Sequence, residues 1–199
     1  MENRIRSAED SDAPAIRDIY APFVSDSATS FEADPPDVPT MAQRIRDIRE
    51  KLPWLVFEGG GQVLGYAYAS IHRARKAYQW CVEASVYVDG RARRRGVGRA
   101  LYGSLFDLLR RQGYVNVYAG ITLPNAPSVA LHESFGFSTV GIYRGIGFKF
   151  GKWHDVVWLE HRLQDPAVPV PELIPAPKLL ADPEVSSMLL DHARRAKAG

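Results

Sequence analysis

CVEASVYVDGRARRRGVGRALYG, residues 81–103, is the stretch on which the reading of the fold turns. It opens with strict alternation: Val82, Ala84, Val86 and Val88 point one way, Glu83, Ser85 and Tyr87 the other. Period two with β-branched residues is the pattern of a strand. Asp89-Gly90 ends it. From Val97 onward, Leu101, Leu105, Leu108 and Leu109 recur at spacings of three and four, one face of a helix that Gly113 closes. Between strand and helix lies the turn Arg93-Arg94-Arg95-Gly96-Val97-Gly98. The first turn of a helix leaves amide N–H groups unpartnered at the positive end of its dipole. Glycines admit a ligand close to that backbone, and three arginines add charge. The combination reads as a phosphate site, best suited to a pyrophosphate.

The spacing is neither GxxxxGK[ST] nor GxGxxG, which excludes a Walker A loop and the dinucleotide fingerprint. A chain of 199 residues suits one globular domain, placed at 1–163, followed by an extension at 164–199. The formal charge of +2 argues against a nucleic-acid partner. A single cysteine, Cys81, excludes a disulfide framework or a cysteine metal cluster and fits a reducing compartment. The polar start MENRIRSAEDSD and the lack of a membrane-length apolar run lead to the expectation of a soluble cytoplasmic protein with no membrane partner.

Outside the central stretch, Arg4–Ser7 reads as a short strand and Asp10-Ser11 as the cap of a helix carrying Ile16, Ile19, Tyr20 and Phe23. Residues 25–39 form a long loop, expected to be mobile, interrupted by Phe31. Pro39-Thr40 opens a helix that Pro53 stops. Trp54–Glu58 and Gln62–Ile71 pair across three glycines, and His72–Tyr78 is a basic connection into the central strand. Tyr114–Ile121 is a further strand. Leu123–Pro127 is a turn, and Ser128 caps a short helix that ends at Gly136. Thr139–Phe148 and Trp153–Leu163 form a hairpin through Gly151. The proline-rich segment from Gln164 is extended, and Asp182–Lys197 forms a short helix, either a strap over the domain or a loose tail.

The loop at Arg93-x-x-Gly96-x-Gly98 resembles the coenzyme A pyrophosphate loop of the GCN5-related N-acetyltransferases (GNAT). An ordered set of further pieces resembles one branch, the phosphinothricin and methionine sulfoximine N-acetyltransferases. These are Thr29-Ser30-Phe31-Glu32, Arg75-Lys76-Ala77-Tyr78-x-Trp80-x-Val82-Glu83, Leu123-Pro124-Asn125-x-x-Ser128, Leu131-His132-Glu133 and Lys149-x-Gly151-x-Trp153-x-Asp155. The likeness runs from about Ile5 to Leu163 and leaves the extension uncovered. It implies an α/β (α+β) fold, a mixed, mostly antiparallel sheet flanked by helices, whose central strands splay. Acetyl-coenzyme A is implied as co-substrate, with pantetheine amides paired to the backbone of Val86, Tyr87 and Val88. Its phosphates lie against Arg93, Arg94, Arg95, Gly96, Val97 and Gly98, and Asn125 and Ser128 touch the coenzyme. A homodimer is a further implication, and no metal is expected.

Acetyl transfer needs a neutral amine, and an α-amino group is mostly protonated near neutrality. A base must therefore take a proton. Glu83, a half-desolvated carboxylate just before the pantetheine stretch, is one candidate; His132 in the Leu-His-Glu sequence is the other. Backbone N–H groups near Val86 would polarise the thioester carbonyl. An acyl-cysteine route through Cys81 is disfavoured, because no activating pattern accompanies it. The small-molecule acceptor implied by the likeness is an amino-acid analogue such as phosphinothricin, methionine sulfoximine or methionine sulfone. Arg73, Arg75 and Tyr78 would meet its oxygens, and Phe31 would pack on its aliphatic part. Two other readings stay open: an acetyltransferase for a different amine, and a non-catalytic acyl-coenzyme A-binding regulatory module.

Overall fold

The computed structural model describes residues 3–196. Among them seven strands form one sheet in the order β1-β2-β3-β4-β5-β7-β6. The strands are β1 (Arg4–Ser7), β2 (Trp54–Gly59), β3 (Gln62–Ile71), β4 (Cys81–Val88), β5 (Asn116–Thr122), β6 (Ser138–Lys149) and β7 (Lys152–Arg162). Every neighbouring pair is antiparallel except β4–β5, which is parallel. A parallel pair needs a crossover. Here that crossover is α3 (Val97–Gln112), the helix whose apolar stripe the sequence announces. The result is the mixed, mostly antiparallel sheet with flanking helices that the sequence leads one to expect.

Strand alternation sorts side chains onto two cores. Val82 and Ala84 of β4 meet Leu101, Leu105, Leu108 and Leu109 of α3, all four leucines fully buried. Burying each such side chain stabilises the fold by about 1.5–3 kcal/mol. The opposite face carries α1 (Ala13–Ser25) and α2 (Val38–Arg49), which bury Ile16, Val24, Met41 and Ile45 against Trp54, Val56 and Tyr66. Trp54 stacks on Tyr68 at 4.3 Å, and Tyr66 on Tyr87 at 5.2 Å. Asp37 caps α2 by accepting from Thr40 N–H at 2.8 Å, so the helix begins two residues before Thr40. Gly113, at φ +97°, ends α3 with its N–H on the carbonyls of Leu109 and Arg110.

The chain after β7 is a strap, not a loose tail. Gln112 donates to the carbonyls of Lys51 at 2.8 Å and Ile174 at 2.7 Å, which ties the extended segment to α3. It then forms α5 (Ala176–Leu180) and α6 (Pro183–Arg194). Val185, Leu189 and Ala193 of α6 enter the same core as α3. His192 bonds Asp107 of α3 at 2.8 Å, and its ring fills the space above Gly103, where a Cβ would lie 2.7 Å from it. Lys197, assigned to this helix from sequence, lies outside the described residues.

At the opposite edge of the sheet β6 is unprotected. Val140, Ile142, Ile146 and Phe148, with Trp153 of β7, are exposed apolar side chains along that edge. Among the described residues no helix is long and apolar enough to cross a membrane.

Candidate active site

β4 and β5 pair at only three rungs: Cys81↔Asn116, Val82↔Val117 and Glu83↔Tyr118. Beyond them the strands part. The far edge of β4 stays paired with β3 as far as Val88, and the far edge of β5 stays paired with β7 as far as Thr122. The facing edges, Ala84–Val88 and Ala119–Thr122, therefore carry backbone groups with no ladder partner between them. A cleft of about 70 Å³ passes through the sheet there. Its lining includes Thr29, Ser85, Val86, Tyr87, Tyr102, Gly120, Asn125, Ser128 and His132. A larger cavity of about 610 Å³ lies near Arg6, Asp12, Glu58 and Arg91. Its charges already satisfy one another: Arg6 bonds Asp12 at 2.6 Å and Glu58 at 3.1 Å, and Arg91 bonds Asp89 at 2.7 Å. Unpaired strand edges make the smaller cleft the better candidate.

At the wide end of the cleft the chain turns into α3. Arg94 at φ +61° and Gly96 at φ +86° bend the backbone through the left-handed region. The first helical bond is Ala100 N–H to Gly96 carbonyl, so the amides just before it, at Val97, Gly98 and Arg99, have no intrahelical acceptor. Arg93, Arg94 and Arg95 are exposed beside them, Arg93 lying 5.9 Å from the Phe23 ring. The Val97 side chain is in the core, which leaves only its backbone to face a ligand. Gly98 stands at the cleft mouth; a Cβ there would touch Val88, Leu131 and Val86 at 3.5–3.9 Å.

The cleft's floor on the α3 side is polar. α4 (Ala126–Glu133) is capped by Asn125, which accepts from Ser128 N–H at 3.3 Å; Ser128 itself sits in the first turn and does not cap. His132, buried, places Nδ1 2.7 Å from the Ser128 carbonyl. A carbonyl only accepts, so Nδ1 carries the proton and Nε2 accepts from the Tyr102 hydroxyl at 3.0 Å. Burial lowers the His132 pKa and holds the ring neutral. Burial also keeps the Tyr102 phenol protonated, well above its ordinary value.

Glu83 is not on the cleft wall itself but at its apex, on the last paired rung. It is half-buried and bonds His72 Nδ1 at 2.9 Å. The His72 ring stacks on Tyr118, its centroid 4.5 Å away and the planes 17° apart, with the Trp158 edge at 6.0 Å. Sequence reasoning placed His72 only in a basic connection; the signal was its position one residue past β3, beside the rung Ile71↔Val82. Arg73, Arg75 and Tyr78 are exposed in the same connection, Arg73 lying 5.9 Å from the Tyr78 ring. Cys81 is half-buried, and burial pushes its thiol up, which fits no nucleophile.

The loop between α1 and α2, expected to be mobile, is pinned from three sides. Lys149 Nζ donates to the carbonyls of Val24 at 2.6 Å, Ser30 at 2.8 Å and Glu32 at 2.8 Å. Three donors meet three acceptors. Arg44 forks onto both Glu32 oxygens, and Tyr20 donates to Glu32 at 2.9 Å and bonds Ser30 Oγ at 2.7 Å. Burial alone would raise the Glu32 carboxyl, but Arg44 and Tyr20 outweigh it and hold it below its usual range. Thr29 is thereby set against the cleft, whereas Phe31 lies over Gly147 of β6 and does not line it.

A family model described as an acetyltransferase (GNAT) domain matches residues 5–158. The phosphinothricin N-acetyltransferase of Streptomyces viridochromogenes is 40% identical over 167 residues, 84% of this chain and 91% of that one. An L-methionine sulfoximine/L-methionine sulfone acetyltransferase of Salmonella typhimurium is 35% identical, over 83% of this chain and 97% of its own. Among solved structures, a phosphinothricin acetyltransferase from Sinorhizobium meliloti in complex with acetyl-coenzyme A superposes with a TM-score of 0.79 at 33% identity. It spans 85% of this chain and 96% of its own.

Replacing Lys149 by Met keeps the chain's bulk and removes all three donors. Hydrogen bonds to a charged donor are worth about 1.5–3 kcal/mol. Amide exchange across residues 26–37 should accelerate on the order of tenfold or more, with the α3 core unchanged. Unaltered exchange in that loop would show that Arg44 and Tyr20 hold it alone.

Proposed function

The chain belongs to the GNAT acetyltransferase family, and from that premise we propose that it transfers acetyl from acetyl-coenzyme A to the α-amino group of an amino-acid analogue. Phosphinothricin, methionine sulfoximine and methionine sulfone are the acceptors that the relatives' names suggest. The observation that carries the reading is the end of β4–β5 pairing at Glu83↔Tyr118, followed along β4 by a basic turn and the open N-terminus of α3. The residues present fit the coenzyme. Unpaired edges at Ala84–Val88 suit the amides of pantetheine, and the Arg93–Gly98 loop suits a pyrophosphate. When bound, acetyl-coenzyme A supplies the activated acetyl group and a thiol leaving group.

The chain's own residues then divide the work. Glu83, at the apex, is the centre that accepts the acceptor's proton. His132 is the weaker base candidate, because its Nε2 lone pair is already engaged by Tyr102. Tyr102, on the cleft wall, spends its one proton on that bond and orients the His132 ring. Arg73 and Arg75 bring cationic charge to the apex end, matched to an acceptor that carries a carboxylate. The pinned loop with Thr29 excludes water from one wall. We also propose that a second copy covers the exposed apolar row on β6. Sedimentation velocity should then give twice the mass of one chain, and a monomer at micromolar concentration would refute it.

Thiol release should be measured with methionine sulfone, phosphinothricin and a polyamine as acceptors. The analogues should turn over and the polyamine should not; turnover of the polyamine alone would sink the acceptor assignment. Release with none of them, despite tight coenzyme binding, would favour a binding module. Glu83→Gln should lower kcat by about 10²–10⁴-fold with coenzyme affinity retained.

A further inference from the structure

We propose that His72 is a further catalytic residue: Glu83 holds its imidazole, and the ring meets the acceptor amine. The proposal rests on the reading of the apex at Glu83 as the proton-accepting centre and refines it: the proton is taken by His72, and Glu83 holds the imidazolium. Nδ1 lies 2.9 Å from Glu83 Oε1. An ionised carboxylate only accepts, so Nδ1 carries a proton, and in the neutral ring Nε2 then keeps its lone pair. Among the described residues Nε2 has no hydrogen-bond partner. The ring cannot swing freely, because Tyr118 stacks on it at 4.5 Å and Trp158 meets it edge-on at 6.0 Å. At 15% side-chain exposure it is sheltered yet reachable.

Its place in the sheet matters as much as its partner. The ring covers Tyr118, half of the last paired rung, where the cleft begins. A ligand anchored at the Arg93–Gly98 loop enters from the Val88 end and points its far end toward this apex. From Val88 to Glu83 is five residues, roughly 17 Å of strand at about 3.3 Å each. Tyr118 of β5, with Cys81, Glu160 and Arg162 around it, stacks on the ring, and Tyr68 of β3 lies within electrostatic reach of Glu83; burial raises both phenols. Neither competes for the proton near neutrality.

The step balances. His72 Nε2 takes one proton from the acceptor's ammonium, and the imidazolium stays paired with the Glu83 carboxylate. The freed nitrogen lone pair forms the N–C bond to the thioester carbonyl carbon, and the C–S bond breaks with its electron pair on sulfur. The second proton leaves the nitrogen and ends on that sulfur as a thiol. His72 then returns the first proton to solvent. Ammonium and thioester become amide, thiol and one proton.

His72→Phe preserves the stack on Tyr118 and removes the nitrogens. It should fold as the native chain does, bind acetyl-coenzyme A with unchanged affinity and lose kcat on the order of a hundredfold, with the rising pH limb flattened. Because the two groups act as a unit, adding Glu83→Gln should cost little more. Independently of turnover, ¹⁵N NMR of the free enzyme should show His72 protonated at Nδ1, a preference that Glu83→Leu, which leaves no acceptor, removes. A native rate and pH limb in His72→Phe, with Glu83→Gln inactive, would overturn the dyad and leave Glu83 as the lone base. Native rates in both variants would overturn the dyad and the Glu83 reading together. An Nε2–H tautomer in the native chain would also overturn the dyad.

Discussion

The structure depends on a ladder that stops early. Backbone amides and carbonyls inside a protein must find partners, and a strand pair normally supplies them along its whole length. β4 and β5 supply them for three rungs and then separate, while each stays fully paired on its other side. The facing edges are thus aligned and without ladder partners, apart from the Ala84 carbonyl, which lies 3.4 Å from the Tyr102 hydroxyl. Such an arrangement is poorly stabilised on its own and well matched to a ligand that carries amides at strand spacing. The parallel direction follows from the same constraint: the crossover helix begins where β4 ends, so its open N-terminus stands at the wide mouth of the gap.

The remaining elements keep that gap in one shape. α3 is seated from below by four buried leucines and clamped from outside by α6, through His192 on Asp107 and the side chain–free face at Gly103. The end of α6 reaches the basic turn, where a Cβ on Gly96 would come within 3.4 Å of the Ala196 backbone. On the other face, Lys149 ties the last hairpin to the loop that carries Thr29. Asp155 accepts from Gly145 N–H at 2.7 Å, and its own carbonyl accepts from Leu123 N–H at 2.9 Å, joining that hairpin to the turn before Asn125. Rigid walls suit a reaction governed by positioning, since misplacement of about 1 Å can cost a hundredfold.

Much of this is legible in the sequence, because it is local. β4 falls where alternation places it, β3 follows β2 across the three glycines as expected, and α3 begins and ends where its stripe and Gly113 place it. Asn125, Ser128 and His132 gather at the cleft as their motif suggests, although the cap is Asn125. What alternation cannot carry is a partner from elsewhere in the chain. Nothing local in Glu83 announces His72, which comes from just past the end of the preceding strand, β3. The three carbonyls around Lys149 lie more than a hundred residues upstream. The loop with Phe31 reads as mobile because its polar residues look unpartnered until Lys149 and Arg44 arrive. The extension reads as ambiguous because its apolar residues are few; they suffice only because α3 offers an apolar back for them.

The central claim is that the coenzyme completes the interrupted ladder. Backbone amide exchange, resolved by residue with and without coenzyme A, tests it directly. In the free protein the amides of Ala84–Val88 that point away from β3 should exchange quickly, while those of Cys81–Glu83 exchange slowly. Saturating coenzyme A should slow the first group on the order of tenfold or more and leave the second unchanged. If those amides are already protected in the free protein, or stay fast when the coenzyme is fully bound, the gap between β4 and β5 is not where it binds.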